Sequence, residues 1–426
     1  MVGKKGKVQC INDEILEKLS LKNRYKFLNI NLMNFLKPEH FNFLKQAEKF
    51  FQKFEEENNI THHEDFYEWI PEIGKAGLIT RMHKFDNIGL DYEPYGMTIE
   101  LMRTLAIEFF DPQLAMGSGA SVLAINPLML HNDGVEIRLR ALKELVTGQK
   151  IGCICITEPE RGSDAVHMLT TCEEQEDGSF IVNGEKIYQT NGSKADWAVI
   201  YAVTEQNNGN TMAQFLVDTS WEGWHAERVN IPWVPRMHVG KEKFNNLRVP
   251  PECVLGKPGQ GRSHLFEGLN LERLGIACLN VAEAWNALSH AVIYANMRKQ
   301  FNIEILKYQG VGFPLADRWA ETMTLTLALL NVCQLIDEKI KKSGTLPKEF
   351  NLALVTTASQ LKSRSAKLSQ KVCYECANLM GGAGVCDNTL MQDLLGISRI
   401  HEIGGGTRQI QQYIMSLSLR QIFKMI

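Results

Sequence analysis

The stretch 400–411 reads Ile-His-Glu-Ile-Gly-Gly-Gly-Thr-Arg-Gln-Ile-Gln. Three consecutive glycines, Gly404, Gly405 and Gly406, end one element, and Thr407 opens an apolar-periodic run. The pattern predicts a loop feeding a helix N-terminus, where exposed amides suit an anion or a carbonyl oxygen. A tight turn between helices is the commoner meaning of a lone glycine run, so the weight of this loop depends on partners elsewhere in the chain. A second chemical spacing, Cys373-Tyr-Glu-Cys376, matches C-x-x-C but sits inside a long helical pattern with no second pair. Buried reduced thiols are the expected state of the ten cysteines, which fits a cytoplasmic protein, and no metal centre is expected.

The elements that must hold these residues follow from pattern. The 426 residues are 44% hydrophobic and 22% charged with a net charge of −3, the profile of a globular protein with a sizeable core. That balance indicates neither a nucleic-acid surface nor a membrane surface, and no run of about 18 apolar residues predicts a membrane span. The basic start lacks a following apolar region, so no secretory signal is expected. Residues 1–37, rich in Lys and Asn, read as an extension, partly helical or loosely attached. From Pro38 the spacing of Phe41, Leu44, Ala47, Phe51 and Phe54 is helical, and helical stretches follow near 64–78, 97–110 and 136–148. The Gly- and Ser-rich 117–121 suits close approach of helices. This gives an N-terminal α-helical domain at 38–150.

At Gly152 the character changes. Short β-rich runs alternate with turns up to Val249, and Asn183-Gly184 is a hairpin signal. A middle antiparallel β domain, a small sheet or barrel, is expected at 151–260. Beyond it Leu274, Cys278, Val281, Trp285, Leu288 and Val292 form a helical stripe, and long helical patterns cover about 315–342, 349–380 and 407–425. These predict a C-terminal four-helix bundle at 261–426. The fold class is α+β, multidomain.

Within this frame, 156–164 (Ile-Thr-Glu-Pro-Glu-Arg-Gly-Ser-Asp) resembles the signature of flavin-dependent acyl-CoA dehydrogenases, and the order of domains is that of their fold. Three more stretches agree: Asn183-Gly184-Glu185-Lys186 with Thr190-Asn191-Gly192, Arg298-Lys299-Gln300-Phe301 with Gln309, and Gly406-Thr407 with Gln409. The resemblance spans about 38–426 and implies FAD as cofactor. It implies that Ile154, Ile156 and Thr157 meet the flavin edge, that Thr190 lies near N5, and that Gly162 and Ser163 lie near the pyrophosphate and substrate. Tyr188 stands where the family has Trp or Phe against the ring, keeping an aromatic body and adding a hydroxyl. Arg298, Phe301 and Gln309 resemble the set that reaches the adenine half of a neighbouring subunit's FAD, with Thr407 and Gln409 on the opposite side. A homo-oligomer, as a tetramer, is implied. Asn378 replaces a usual Gln, while Gly382 matches.

The implied reaction needs a base for the α-proton while the β-hydrogen leaves as hydride, and a carboxylate is the usual choice. Most of the family places Glu directly before the Gly-Thr pair, where this chain has Gly405. A minority, isovaleryl-CoA dehydrogenases among them, places it at the position of Glu272. The stretch 269–274 (Leu-Asn-Leu-Glu-Arg-Leu) resembles that type. Glu272 is therefore the expected base, with a raised pKa in an apolar pocket. The plainer reading is a helix-start Glu favoured by the macrodipole and paired with Arg273. The Gly405 amide is expected to polarise the thioester carbonyl. Asn270 and Arg273 are candidate substrate contacts. The expected substrate is a short branched, cyclic or aryl-bearing acyl thioester, with electron-transfer flavoprotein as acceptor. After Arg236 the usual hydroxyl residues are replaced by Met237, His238 and Val239, which leaves open an acyl group on a carrier protein. Enoyl-CoA reduction, the reverse direction, is a further alternative, and a non-enzymatic flavoprotein is disfavoured by Glu272.

Overall fold

The computed structural model describes residues 11–58, 60, 65–343, 348–387 and 389–425. The chain opens with α1 (Asp13–Lys18), α2 (Leu21–Leu32) and α3 (Pro38–Asn58). Next come α4 (Ile70–Lys75), α5 (Met97–Phe110), α6 (Pro112–Leu130) and α7 (Glu136–Val146). Of the two expectations for the N-terminal extension, partly helical or loosely attached, the described part is helical and packed. Leu21, Tyr25, Leu28 and Leu32 recur at helical spacing and are buried, a stripe that the Lys- and Asn-rich composition obscures. The Tyr25 hydroxyl donates to the Ala106 carbonyl at 2.6 Å. The Arg24 guanidinium donates to the Phe109 carbonyl at 2.6 Å and to Asn286 Oδ1 at 2.8 Å. The first ten residues lie outside the described part.

α5 is buried on every face, and polar residues among its apolar ones are paired inside, Arg103 with Glu100 at 2.6 Å. Its first amides, of Met97 and Thr98, are capped by the Asp337 carboxylate at 2.7 and 2.9 Å. The small residues at 117–121 lie inside α6, and the close approach they allow is to the first strand, where one between helices was expected. A Cβ at Gly117 would stand 2.7 Å from the Phe66 ring, and one at Gly152 would stand 3.4 Å from the Ser121 Cα. Small residues thus bring α6 onto the first strand.

One seven-stranded sheet follows. It comprises β1 (Gly152–Cys155), β2 (Thr171–Glu174), β3 (Phe180–Gln189), β4 (Trp197–Val203), β5 (Met212–Asp218), β6 (Trp224–Val229) and β7 (Val239–Val249). The order is β1-β4-β2-β3-β7-β6, with β5 also on β4. Pairing is antiparallel except for β1 and β2 on β4. The hairpin signal at Asn183-Gly184 is corrected. The turn between β2 and β3 lies at 175–179, where Gly178 takes φ +78°, and Gln175 N–H donates to the Ser179 carbonyl. Asn183-Gly184 instead marks a bulge inside β3, where a Cβ on Gly184 would strike Thr170.

The last part is helical: α8 (Gly261–Met297), α9 (Gln309–Ser343), α10 (Lys348–Met380), α11 (Met391–Ile403) and α12 (Arg408–Met425). The four long helices are those expected, and α11 adds a fifth. Between α8 and α9 a ribbon of β8 (Lys299–Gln300) and β9 (Ile303–Glu304) reaches outward. Two helices, Pro112–Leu130 and Gln309–Ser343, are long and apolar enough to cross a membrane by length and composition alone, which differs from the expectation. The apolar window of α6 is 78% buried within the protein, as in a core helix, and that of α9 is 33% buried.

Candidate active site

β1 runs on into Ile156 and Thr157, and two side chains lock that extension. The buried Lys186 ammonium donates to the Ile156 carbonyl at 3.0 Å and to Glu158 Oε1 at 3.0 Å. Glu158 also accepts the amides of Leu169 and Thr170 at 2.6 and 2.9 Å. Burial works to raise the Glu158 carboxyl, but Lys186 and these donors outweigh it and hold it below the usual range. The Thr157 carbonyl accepts from the Ile187 amide at 2.9 Å and from Gln189 Nε2 at 3.3 Å. Ile156 and Thr157 are thereby set beside 188–190. There Tyr188 takes φ +69° and is 62% exposed, an aromatic ring presented outward on strained backbone. Asn191 fixes the far end of the loop, donating to the Gly117 and Gly152 carbonyls at 2.8 and 3.0 Å.

Facing this edge are α8 and the glycine loop. α8 begins at Gly261, so Glu272 lies about three turns inside it. That removes the macrodipole explanation, which acts only within the first turn. A Cβ on Gly405 would stand 3.4 Å from Glu272 Oε1 and 2.7 Å from Ile276 Cδ1. Ile276 thus blocks a side chain at 405, and the Glu272 carboxylate borders the same space. Glu272 also lines an internal cavity together with Ile154, Ile156, Leu123, Tyr201 and Gln214. Burial pushes the Glu272 carboxyl up, and Arg273 and Lys362 oppose that rise.

The loop itself is held by residues that sequence reasoning missed. The Lys362 ammonium, from α10, donates to the Glu402 carbonyl at 2.9 Å and to the Gly406 carbonyl at 2.7 Å. Gln411 Nε2 donates to the Gly405 and Gly406 carbonyls at 3.0 and 2.9 Å. Gly405 and Gly406 take φ +62° and +95°, a left-handed backbone that suits glycine. His401, just before the loop, is tied to Glu283 of α8, and Glu283 to Ser369 of α10. The loop carbonyls are therefore taken, while the Gly405 amide has no protein acceptor among the described residues. A Lys inside a helical repeat gave no signal of its own; only its full burial identifies it.

The remaining expected residues fall into groups. Asn270 and Arg273 are buried against each other, with Arg273 Nη1 donating to Asn270 Oδ1 at 2.8 Å, and Arg273 Nε has no partner among the described residues. Gly162 and Ser163 lie on an exposed loop, and a Cβ at Gly162 would meet open space. Thr407 caps α12, its carbonyl accepting the Gln411 amide at 3.0 Å, and Gln409 is exposed beside it. Arg298, Phe301 and Gln309 come together on the β8–β9 excursion, all exposed, with Phe301 at 89%. The structure does not bring them to Glu272 within this chain. Asn378 and Gly382 are exposed at the end of α10. Arg236 lies in a buried clamp: it meets Asp111 at 2.7 and 2.9 Å and Asp393 at 3.0 Å, with Met237 and Val239 buried behind it.

These features fit a flavin. A half-buried edge at Ile156, Thr157 and Thr190 lies beside an outward aromatic face at Tyr188. On another side of the glycine loop a groove is lined by Lys367, Lys371, Arg399 and Arg408 together with Asp393 and Glu402, with Arg399 paired to Glu402 and Lys371 to Glu321. As chemistry, the cavity offers a carboxylate with raised proton affinity next to a loop with a free amide, the requirements for taking a proton beside a carbonyl.

The comparisons agree with this geometry. Residues 259–419 match the family described as acyl-CoA dehydrogenase, C-terminal domain, and residues 153–236 match acyl-CoA dehydrogenase, middle domain. The caffeyl-CoA reductase–Etf complex subunit CarC of Acetobacterium woodii is 30% identical over 304 residues, covering 70% of this chain and 76% of the relative. The mitochondrial isovaleryl-CoA dehydrogenase of Oryza sativa is 27% identical over 349 residues, covering 81% of this chain and 80% of the relative. Among solved structures, butyryl-CoA dehydrogenase from Megasphaera elsdenii superposes with a TM-score of 0.79 at 24% identity, covering 90% of this chain and 98% of that one. With its helical, β-sheet and helical parts in this order and a carboxylate over the glycine loop, the chain belongs to the acyl-CoA dehydrogenase family, oxidoreductases that act on CH–CH bonds.

Proposed function

We propose that this protein is an FAD-dependent acyl-thioester dehydrogenase with Glu272 as its base. FAD, when bound, supplies the hydride acceptor. The observation that carries the reading is the Glu272 carboxylate lying in contact with the Gly405 position, Oε1 3.4 Å from where a side chain there would begin, while lining the same cavity as Ile154 and Ile156. Ile154, Ile156, Thr157, Tyr188 and Thr190 hold the flavin ring, Gly162 and Ser163 border its phosphates, and Thr407 and Gln409 close the site at α12. Glu272 takes the α-proton. The Gly405 amide donates to the thioester oxygen, and a donor of this kind contributes about 3–4 kcal/mol to such a step. Lys362 and Gln411 keep the loop carbonyls turned away from that oxygen. Asn270 and Arg273 contact the thioester carrier. The absence of a side chain at 405 leaves room for a short branched, cyclic or aryl-bearing acyl group.

Arg298, Phe301 and Gln309, with Asn378 and Gly382, serve the site of a neighbouring copy in a homo-oligomer, taken as a tetramer. Their exposure, and the open apolar positions Phe313 and Trp319 on α9, support this. Electron-transfer flavoprotein is the proposed acceptor, a partner that CarC's name also carries. The nine described cysteines are free and eight are buried, which supports a reducing, cytoplasmic setting. A second reading replaces coenzyme A by a carrier protein. The burial of Met237 and Val239 favours it, because neither side chain is offered to a ligand and neither carries a hydroxyl. Anaerobic flavin bleaching by acyl-CoA, by the same acyl group on a carrier protein, and the reverse reaction with reduced dye and enoyl-CoA, tests all three. Bleaching by none of them contradicts the proposal.

A further inference from the structure

The cavity beside Glu272 is apolar over most of its wall, yet it contains polar groups with unused hydrogen-bonding capacity. Gln214 on β5 is 1% exposed, and its Nε2 donates to the Tyr201 hydroxyl oxygen at 2.5 Å. Its Oε1 has no partner among the described residues. With its oxygen accepting from Gln214, the buried Tyr201 hydroxyl is left with its own proton to donate. Burial and the nearby Glu272 charge raise the Tyr201 pKa, so that proton stays on. The two side chains therefore present one acceptor and one donor, side by side, on the same wall as Glu272. Farther along, the rings of His131 and His264 lie 4.0 Å apart, with His131 Nε2 and His264 Nδ1 also unpartnered among the described residues. Buried polar atoms are rarely left unpaired without a reason.

We infer that this cavity, which has room for about one water (about 20 Å³), takes in place of a water the hydroxyl, alcoholic or phenolic, of an acyl group, the hydroxyl donating to Gln214 Oε1 and accepting from Tyr201. The inference rests on the proposed dehydrogenase reading and adds the substrate class. A hydroxyl supplies one donor and one acceptor together. A carboxylate would meet the Gln214 oxygen and the Glu272 charge, and an ammonium would leave the Tyr201 proton unused. A plain alkyl or phenyl group would leave both protein atoms unpaired, and sites built to bond a hydroxyl discriminate strongly against analogues that lack it.

The test uses the FAD-loaded protein and two matched pairs. One is 3-phenylpropionyl-CoA against 3-(4-hydroxyphenyl)propionyl-CoA; the other is butyryl-CoA against 4-hydroxybutyryl-CoA. Anaerobic flavin reduction gives kcat/KM for each. The hydroxylated member of at least one pair is expected to lead by roughly tenfold or more. In Gln214→Leu, and independently in Tyr201→Phe, which removes only one oxygen, that ratio is expected to fall towards one. Equal values within both pairs overturn the inference, since ordered water would then satisfy these atoms, and so does a ratio that survives in both variants. Reduction neither by the four thioesters nor by the same acyl groups on a carrier protein overturns the dehydrogenase reading itself.

Discussion

A single carboxylate, Glu272, is proposed to carry the chemistry, and its surroundings set when it would work. Burial raises its proton affinity, while Arg273 and Lys362 pull the other way. The base must be ionised, so kcat/KM should fall as pH drops through this raised value. Removing the Lys362 charge should move that acid limb to higher pH. A pH–rate profile of Lys362→Met against the parent checks the direction, and an unmoved limb contradicts it. Lys362 has a second signature. Burial lowers its own pKa from 10.5 to about 8, against the raising influence of Glu272 and Glu402. Between those values the unfolded chain holds the proton and the folded chain does not, so this group's contribution to stability rises with pH across that window. The difference in melting temperature between parent and Lys362→Met, measured across it, should follow that rise. Glu272 stands out in the sequence through the family resemblance, because Gly405 stands where a carboxylate is usual. Lys362 does not, because a buried lysine inside a helix looks like any surface lysine until the packing is known.

Loops and clamps decide whether the elements present these residues correctly. Gly405→Ala puts a side chain on left-handed backbone and pushes it against Ile276 and the Glu272 carboxylate. A cost of about 1–2 kcal/mol in stability is expected from the backbone alone, seen as a lower melting temperature, together with a loss of flavin reduction rate. Arg236→Met leaves Asp111 buried beside fewer donors. Breaking a buried pair in this way costs about 3–5 kcal/mol, readable by denaturant unfolding. At this scale the sequence was a partial guide. The long helices showed in their periodicity, whereas Asn183-Gly184 signalled a turn and proved to be a bulge. Its strand continues because β7 pairs across it, a tertiary contact that local turn chemistry does not contain. The attachment of residues 11–37 did not show because composition weighed more than the spacing of their apolar positions.

In the whole molecule, the order of helices, sheet and helices was legible because apolar period changes sharply at Gly152 and again after Gly261. Assembly is expected only through resemblance. The exposed Phe301 is proposed to meet a neighbouring copy, so Phe301→Ala should loosen FAD retention on dilution, and gel filtration with flavin absorbance would register this. Unchanged retention would place that ring outside the site. Everything else depends on whether the carboxylate in α8 removes the proton. The most direct measurement is stopped-flow anaerobic flavin reduction by an acyl thioester in the parent and in Glu272→Gln. The variant should keep its yellow flavin and still bind the thioester, with the reduction rate lowered by about 10²–10⁴. Reduction at the parental rate would contradict the assignment of Glu272 as the base.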